Sequence, residues 1–208
     1  MTFWDRLEAV QAAGDVLSHP FYVRWSAGEL SRPELASYAG EYRHAVVALA
    51  EAAASAAREA EPELAAEFEA HAREEAAHIE LWDQFARALG ADLEREPLPE
   101  TAACARTWAG DRELPLLERL VGMYTVEAAQ PAISATKLEG LRAHYGMASP
   151  AATAYFDVHV ERDVAHAAAG RALIERRLSG ADLERLITRA DRVLRANWLL
   201  LDGVDRRL

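Results

Sequence analysis

The stretch Tyr155-Phe156-Asp157-Val158-His159-Val160-Glu161-Arg162-Asp163-Val164-Ala165-His166 reads as helix and sets the fold class. His159, Asp163 and His166 fall at i, i+4 and i+7. On a helix those positions share one face within about two turns. Tyr155, Phe156, Ala167, Ala169 and Gly170 flank the stripe and are small or aromatic, which turns that face toward a core. Buried imidazoles and carboxylates need partners. Two histidines and one aspartate in this register form a ready set of metal ligands. The competing explanation is a solvated, charged helix face.

Working outward, Ser149-Pro150 opens this helix and Ser179-Gly180 closes it. The same helical spacing covers most of the chain, and no strand pattern exceeds four residues. An amphipathic helix covers 2–14, and His19-Pro20 separates it from a short helix over 20–28. Ser31-Arg32-Pro33-Glu34 carries a serine N-cap, a first-turn proline and a capping-box acid, and the helix it starts runs to about 59. Pro62 starts another, which Gly90 ends as a C-cap. A proline-bearing loop over 91–99 leads to a shorter helix over about 99–109. A long helix over 114–145 holds Pro131, which kinks or breaks it. A last helix covers about 181–202. The expected architecture is all-α: one bundle of about seven to eight helices, a single domain over 1–208.

The chain has 208 residues, and 51% of them are apolar, enough for a sizeable core. Its net charge of −11 repels nucleic acid and anionic membrane alike. No run of about 18 apolar residues offers a membrane span, and the first residues lack a signal-peptide pattern, so the cytoplasm is the expected location. The one cysteine, Cys104, excludes an intrachain disulfide and a cysteine-based zinc site. Alanine occurs 45 times, and Arg and Lys occur 22 times and once. The sole lysine, Lys137, stands out because arginine cannot replace lysine where a neutral amine is needed.

Two further segments carry ligand types. In His71-Ala72-Arg73-Glu74-Glu75-Ala76-Ala77-His78, Glu75 and His78 form the E-x-x-H pair that carboxylate bundles use for iron or manganese. Glu74 shares that face, so the spacing leaves Glu74 and Glu75 both open. His71 lies two turns before His78 on the same face. Glu127 sits in an apolar helix just before Pro131, where a carboxylate is costly to bury without a cation or donor. Three helices thus supply oxygen and nitrogen ligands suited to iron or manganese: Glu74 or Glu75 with His78, then Glu127, then His159, Asp163 and His166. Lys137 follows Glu127 on the same helix. Desolvation near cationic metals would leave its amine neutral and nucleophilic.

Four segments carry a resemblance: His19-Pro20-Phe21-Tyr22; Tyr38 through His44; Lys137-Leu138-Glu139-Gly140-Leu141 with His144-Tyr145-Gly146; and Tyr155-Phe156-x-x-His159-x-x-x-Asp163-x-x-His166. Together with the helix layout they resemble the haem-oxygenase-like superfamily, which includes the TenA thiaminases and the cofactorless PQQ-synthesis oxidase. Within it the sequence is most similar to the non-haem dimetal oxidases, and in particular to the folate-related family of the chlamydia protein associating with death domains.

That resemblance implies two Fe ions, or one Fe and one Mn, with O₂ as co-substrate. It also implies conversion of one of the protein's own tyrosines into para-aminobenzoate, with a small-molecule substrate as the alternative seen in related oxidases. Lys137 matches the amine donor, Tyr22 the consumed tyrosine and Tyr38 a second tyrosine near the site. One position departs. The family has a glutamate seven residues before the histidine matching His78, and here that residue is His71. Either Glu74 or Glu75 takes over, or one metal position is weakened.

Two other functions compete. A TenA-type thiamine-salvage hydrolase needs a cysteine on the long central helix, and residues 118–130 have none. A non-catalytic helical interaction protein would leave the ligand stripes without purpose. His44 either lines the pocket or packs. Trp198-Leu199-Leu200-Leu201 is apolar enough for a homodimer contact, and core packing explains it equally well.

Overall fold

The computed structural model describes residues 1–206. Its nine α-helices among these residues are α1 (Phe3–Ala13), α2 (Pro20–Ala27), α3 (Arg32–Glu59), α4 (Ala65–Leu89), α5 (Pro99–Ala109), α6 (Leu116–Glu127), α7 (Gln130–Ala143), α8 (Pro150–Glu175) and α9 (Leu183–Asp205). A 3₁₀ turn (Val16–Ser18) joins α1 to α2. The sequence signals explain most boundaries. Ser31 caps α3 through the Glu34 amide, and Glu34 reaches back to the Ser31 amide. Gly28 and Gly90 end α2 and α4 in the left-handed conformation, which costs glycine nothing.

Four boundaries differ from the sequence reading. Residues 62–64 form a turn, and α4 starts at Ala65 instead of Pro62, with Leu64 making no side-chain cap. Helix α8 ends at Glu175, before Ser179-Gly180. Helix α9 covers 183–205, with Asp182 capping the Arg185 amide. The expected helix over 114–145 is two helices. Pro131 has no N–H, and its ring would strike the Glu127 carbonyl of a continuous helix. The chain therefore breaks at Ala128-Ala129, where the Ala129 amide tightens onto Val126 O at 3.2 Å. The break leaves Glu127 as the last residue of α6 and restarts the helix so that Lys137 points inward.

Helix α4 packs against α3 and α8, while α8 also contacts α6 and α7. At their centre lies an aromatic core of Phe21, Tyr22, Trp25, Tyr38, Tyr42, Trp82, Phe85 and Phe156, all buried. Trp82 is pinned by its indole N–H, which donates to Ala39 O at 2.8 Å. The Trp25 indole donates to Lys137 O at 3.3 Å. That approach needs a glycine on α7, because a Cβ at Gly140 would stand 2.5 Å from Trp25 Nε1.

Several other residues singled out in the sequence take part in packing. Cys104 is buried on α5. His44 Nε2 lies 3.2 Å from Arg95 O, bonded within the α3 surroundings. Leu200 and Leu201 are buried, Trp198 meets His19 edge-on at 4.8 Å, and only Leu199 of that segment is exposed. No helix among the described residues is long and apolar enough to cross a membrane.

Candidate metal centre

Helix α4 brings His71, Glu75 and His78 onto one face, the end of α6 brings Glu127, and α8 brings His159, Asp163 and His166. Helical packing joins these three faces. Glu75 Oε1 lies between two imidazoles, 3.2 Å from His78 Nδ1 and 3.7 Å from His71 Nε2. His71 Nε2 is 3.4 Å from Glu127 Oε1. The rings pair across the helices, His71 with His166 at 4.9 Å and His78 with His159 at 4.4 Å. Ligand atoms of His71, Glu75 and His166 all lie within 4.8 Å of one another.

The two glutamates that spacing left open occupy different places. Glu75 is 3% exposed and sits among the imidazoles. Glu74 is half-buried at the rim, where its Oε2 accepts from His166 Nε2 at 2.9 Å and its Oε1 from Arg162 at 3.1 Å. Because a carboxylate and a carbonyl accept, the ring tautomers follow. His166 carries a proton on Nε2 and turns Nδ1 toward Asp163 Oδ1, 3.6 Å away. His159 donates from Nδ1 to Tyr155 O at 2.6 Å, which frees Nε2.

Buried polar atoms without hydrogen-bond partners gather here: His71 Nε2, His78 Nδ1, Glu127 Oε1, both carboxylate oxygens of Asp163, and His166 Nδ1. Leaving a buried polar atom unsatisfied costs about 1–3 kcal/mol. A cluster of such atoms, all imidazole nitrogen or carboxylate oxygen, fits cations of the iron and manganese kind.

Carboxylates dominate the electrostatics of the cluster. Burial opposes the charged form of His71, but the Glu127 and Glu75 carboxylates outweigh it and push its pKa up to about 10. Burial likewise opposes ionisation of Glu75, and His71 and His78 overcome this, holding the carboxyl well below its ordinary range. Asp163 raises the pKa of His166. Burial lowers that of His159, keeping it neutral and able to donate a lone pair.

Sequence reasoning saw His71 as a lost glutamate. In the structure it contacts both Glu75 and Glu127. The signal available was its i, i+4 spacing to Glu75, which completes H-x-x-x-E-x-x-H on one helix face.

Lys137, Tyr22 and Tyr38 form a second constellation beside the first. Lys137 is 1% exposed. Its Nζ lies 4.6 Å from the Tyr42 ring centroid, 5.1 Å from Tyr38, 5.5 Å from Tyr22 and 5.4 Å from both Trp82 and Phe156. Burial alone drives its pKa well below the ordinary lysine range. The hydroxyls of Tyr22 and Tyr38 are 3.2 Å apart, and burial raises both phenol pKa values well above 10, so both rings are neutral phenols. Tyr42 and Trp82 also wall this cage, from helix positions that no spacing in the chain marks. Trp82 also links it to the histidines, since its ring meets Tyr155 at 4.8 Å and Tyr155 stacks on His159 at 4.1 Å.

Comparison with known proteins agrees with this chemistry. The model of a family described as iron-containing redox enzymes matches residues 43–198. The 4-aminobenzoate synthase of Chlamydia muridarum is 32% identical, with 98% of this chain and 90% of the relative covered. That of Nitrosomonas europaea is 29% identical, with 98% and 91% covered. Among solved structures, a TenA homologue from Pseudomonas syringae pv. tomato superposes with a TM-score of 0.84 at 16% identity, covering 98% of this chain and 91% of that one. A haem-oxygenase-like domain of unknown function from Shewanella denitrificans gives 0.82 at 19%, covering 100% and 93%. These two likenesses establish the fold, and with the family match and the full-length relatives they lead to one conclusion: this chain belongs to the family of iron-containing redox enzymes, built on the haem-oxygenase-like helical fold.

Proposed function

We propose that the chain makes 4-aminobenzoate from its own Tyr22, with nitrogen supplied by Lys137 and dioxygen as oxidant. The observation that carries this is the buried lysine. An amine enclosed by five aromatic rings, two of them hydrogen-bonded tyrosines, costs stability and serves no packing need. The carbon count fits. A tyrosine side chain and 4-aminobenzoate each hold a six-carbon ring and one further carbon. With dioxygen as the oxidant, the conversion breaks the Cα–Cβ bond and oxidises Cβ to the carboxylate. The phenolic C–O bond is replaced by a bond to Nζ as the oxygen leaves as water, and oxidation at Cε breaks the Cε–Nζ bond and leaves an aldehyde on the former lysine.

The chain's own residues divide the work. His71, Glu75, His78, Glu127, His159, Asp163 and His166 would hold two ions, iron with iron or manganese, with the Glu75 carboxylate between the His71 and His78 rings. Bound there, the metals supply the electrons and Lewis acidity that activate dioxygen. The cage desolvates Lys137, which shifts its amine toward the neutral form. The Tyr38 hydroxyl orients the Tyr22 hydroxyl. Trp82, Tyr155 and Phe156 exclude water from the space between the cage and the histidines.

Glu74 orients His166 and does not bind metal itself. A carboxylate on the far nitrogen of a ligating histidine fixes the ring and raises its basicity. Glu74→Ala is expected to weaken metal binding about ten- to a hundredfold, with the stoichiometry recovered at saturation, as read by competition with a chelating dye.

The TenA-type alternative fits the residues less well. Cys104 is buried on α5, and burial pushes its thiol pKa up, the reverse of an activated nucleophile. A purely structural helical protein does not fit membership of a redox family.

The test is isotopic. Protein grown with ring-labelled tyrosine is loaded with Fe(II) and Mn(II) under nitrogen and then given dioxygen. Labelled 4-aminobenzoate and a matching mass loss at Tyr22 are expected. Product that carries no label, or an intact Tyr22 after turnover, would overturn the reading.

A further inference from the structure

We infer that the apolar cleft between α4, α6 and α8 is the entry path of dioxygen. The inference rests on the oxidase reading above and adds to it where the diffusible reactant enters. The cleft encloses about 190 Å³. Phe68, Leu120, Met123 and Leu173 line it, and its floor is formed by His71, Glu127 and His166.

Three observations converge on a small apolar gas. First, the cleft ends directly on candidate ligand side chains, so whatever enters it meets the centre. Second, the opposite side is covered. His159 lies under the Tyr155 ring, and Trp82 backs Tyr155, both fully or nearly fully buried. Third, most of the exposed wall surface is apolar, although Glu67 and Glu74 also line the cleft. Apolar wall of this kind takes up apolar atoms such as xenon. Its volume is below the roughly 300–1,000 Å³ of sites that hold drug-sized ligands. The organic groups that react, Tyr22 and Lys137, are already inside the protein in the cage beyond Trp82. The cleft therefore has only the oxidant to admit.

Gly170 on α8 keeps the cleft open. A Cβ there would meet only the edge of Tyr124, at 3.6 Å, an ordinary contact. A methyl group fits, and a branched side chain extends into the cleft. Leucine also favours a helix interior more than glycine does, so Gly170→Leu blocks the space without weakening α8.

The test combines xenon with dioxygen. Crystals of wild type, Gly170→Ala and Gly170→Leu are pressurised with xenon, and the three proteins are loaded with Fe(II) under nitrogen and mixed with dioxygen. Xenon density is expected in the wild-type cleft, weaker density in Gly170→Ala and none in Gly170→Leu. Metal content is expected to match in all three. The second-order rate of reaction with dioxygen is expected to fall at least tenfold in Gly170→Leu. Dioxygen consumption without xenon in the cleft, or at an unchanged rate in Gly170→Leu, overturns the entry path alone. A metal-loaded wild type that consumes no dioxygen overturns the oxidase reading and, with it, the identity of the gas.

Discussion

Lys137→Met is expected to fold, to be more stable than wild type at neutral pH and to release no 4-aminobenzoate. Methionine matches the lysine stem as far as Cε and suits an aromatic cage, but it has no nitrogen to transfer, so product should fall to background. The stability gain follows from the depressed pKa of Lys137, caused by burial. A lysine whose folded pKa lies below its ordinary 10.5 binds fewer protons folded than unfolded. Wild-type stability therefore rises with pH across the window between the depressed value and 10.5, by up to about 1.4 kcal/mol per pH unit. Below that window the cost is complete. Urea denaturation of both proteins at pH 7 and pH 10 should show the advantage of Lys137→Met shrinking as pH rises. The buried tyrosines titrate in both proteins, so their contribution cancels in the difference. A lysine-free variant that still makes product would remove Lys137 from the chemistry. An advantage that does not change with pH would mean that the amine is not desolvated.

Glu75→Ala should lower bound metal from about two ions per chain to one or fewer, and abolish product. Glu75 Oε1 faces His71 at 3.7 Å and His78 at 3.2 Å, so its loss removes a donor shared by both halves of the centre. It also leaves His71 with only Glu127 as a carboxylate contact. Glu74, adjacent in sequence, points to the rim and bonds His166 and Arg162. Its alanine variant keeps the full stoichiometry at saturating metal. Elemental analysis of the two variants side by side separates the roles. Equal metal loss in both would mean that the two glutamates act alike.

These two positions show what the sequence could reveal and what it could not. Capping residues are local signals, so Ser31 with Glu34 and the glycines at 28 and 90 marked helix ends that the structure keeps. Pro131 was legible for the same reason, since the proline clash acts within one turn. Pro62 misled because proline fits both a first helical turn and the turn that precedes one, and Leu64 offers no side-chain cap. Helical spacing put His159, Asp163 and His166 on one face, and burial of His159 and Asp163 follows that pattern. The choice between Glu74 and Glu75 depends on the rotation of α4 against α6 and α8, which no single-helix period encodes. His71 was hidden because the resemblance assigned its position to glutamate. The cage around Lys137 gathers rings from α2, α3, α4 and α8, contacts far apart in the chain that leave no periodic trace.

In the proposed centre, His71, Glu75, His78, Glu127, His159, Asp163 and His166 hold two metal ions. The most direct measurement is metal content per chain, by elemental analysis, after anaerobic loading with Fe(II) and Mn(II) and removal of excess metal. The arrangement predicts about two ions in wild type and a clear loss in His159→Ala and Glu127→Ala. A wild type that retains no metal, or variants that retain both ions, would contradict it.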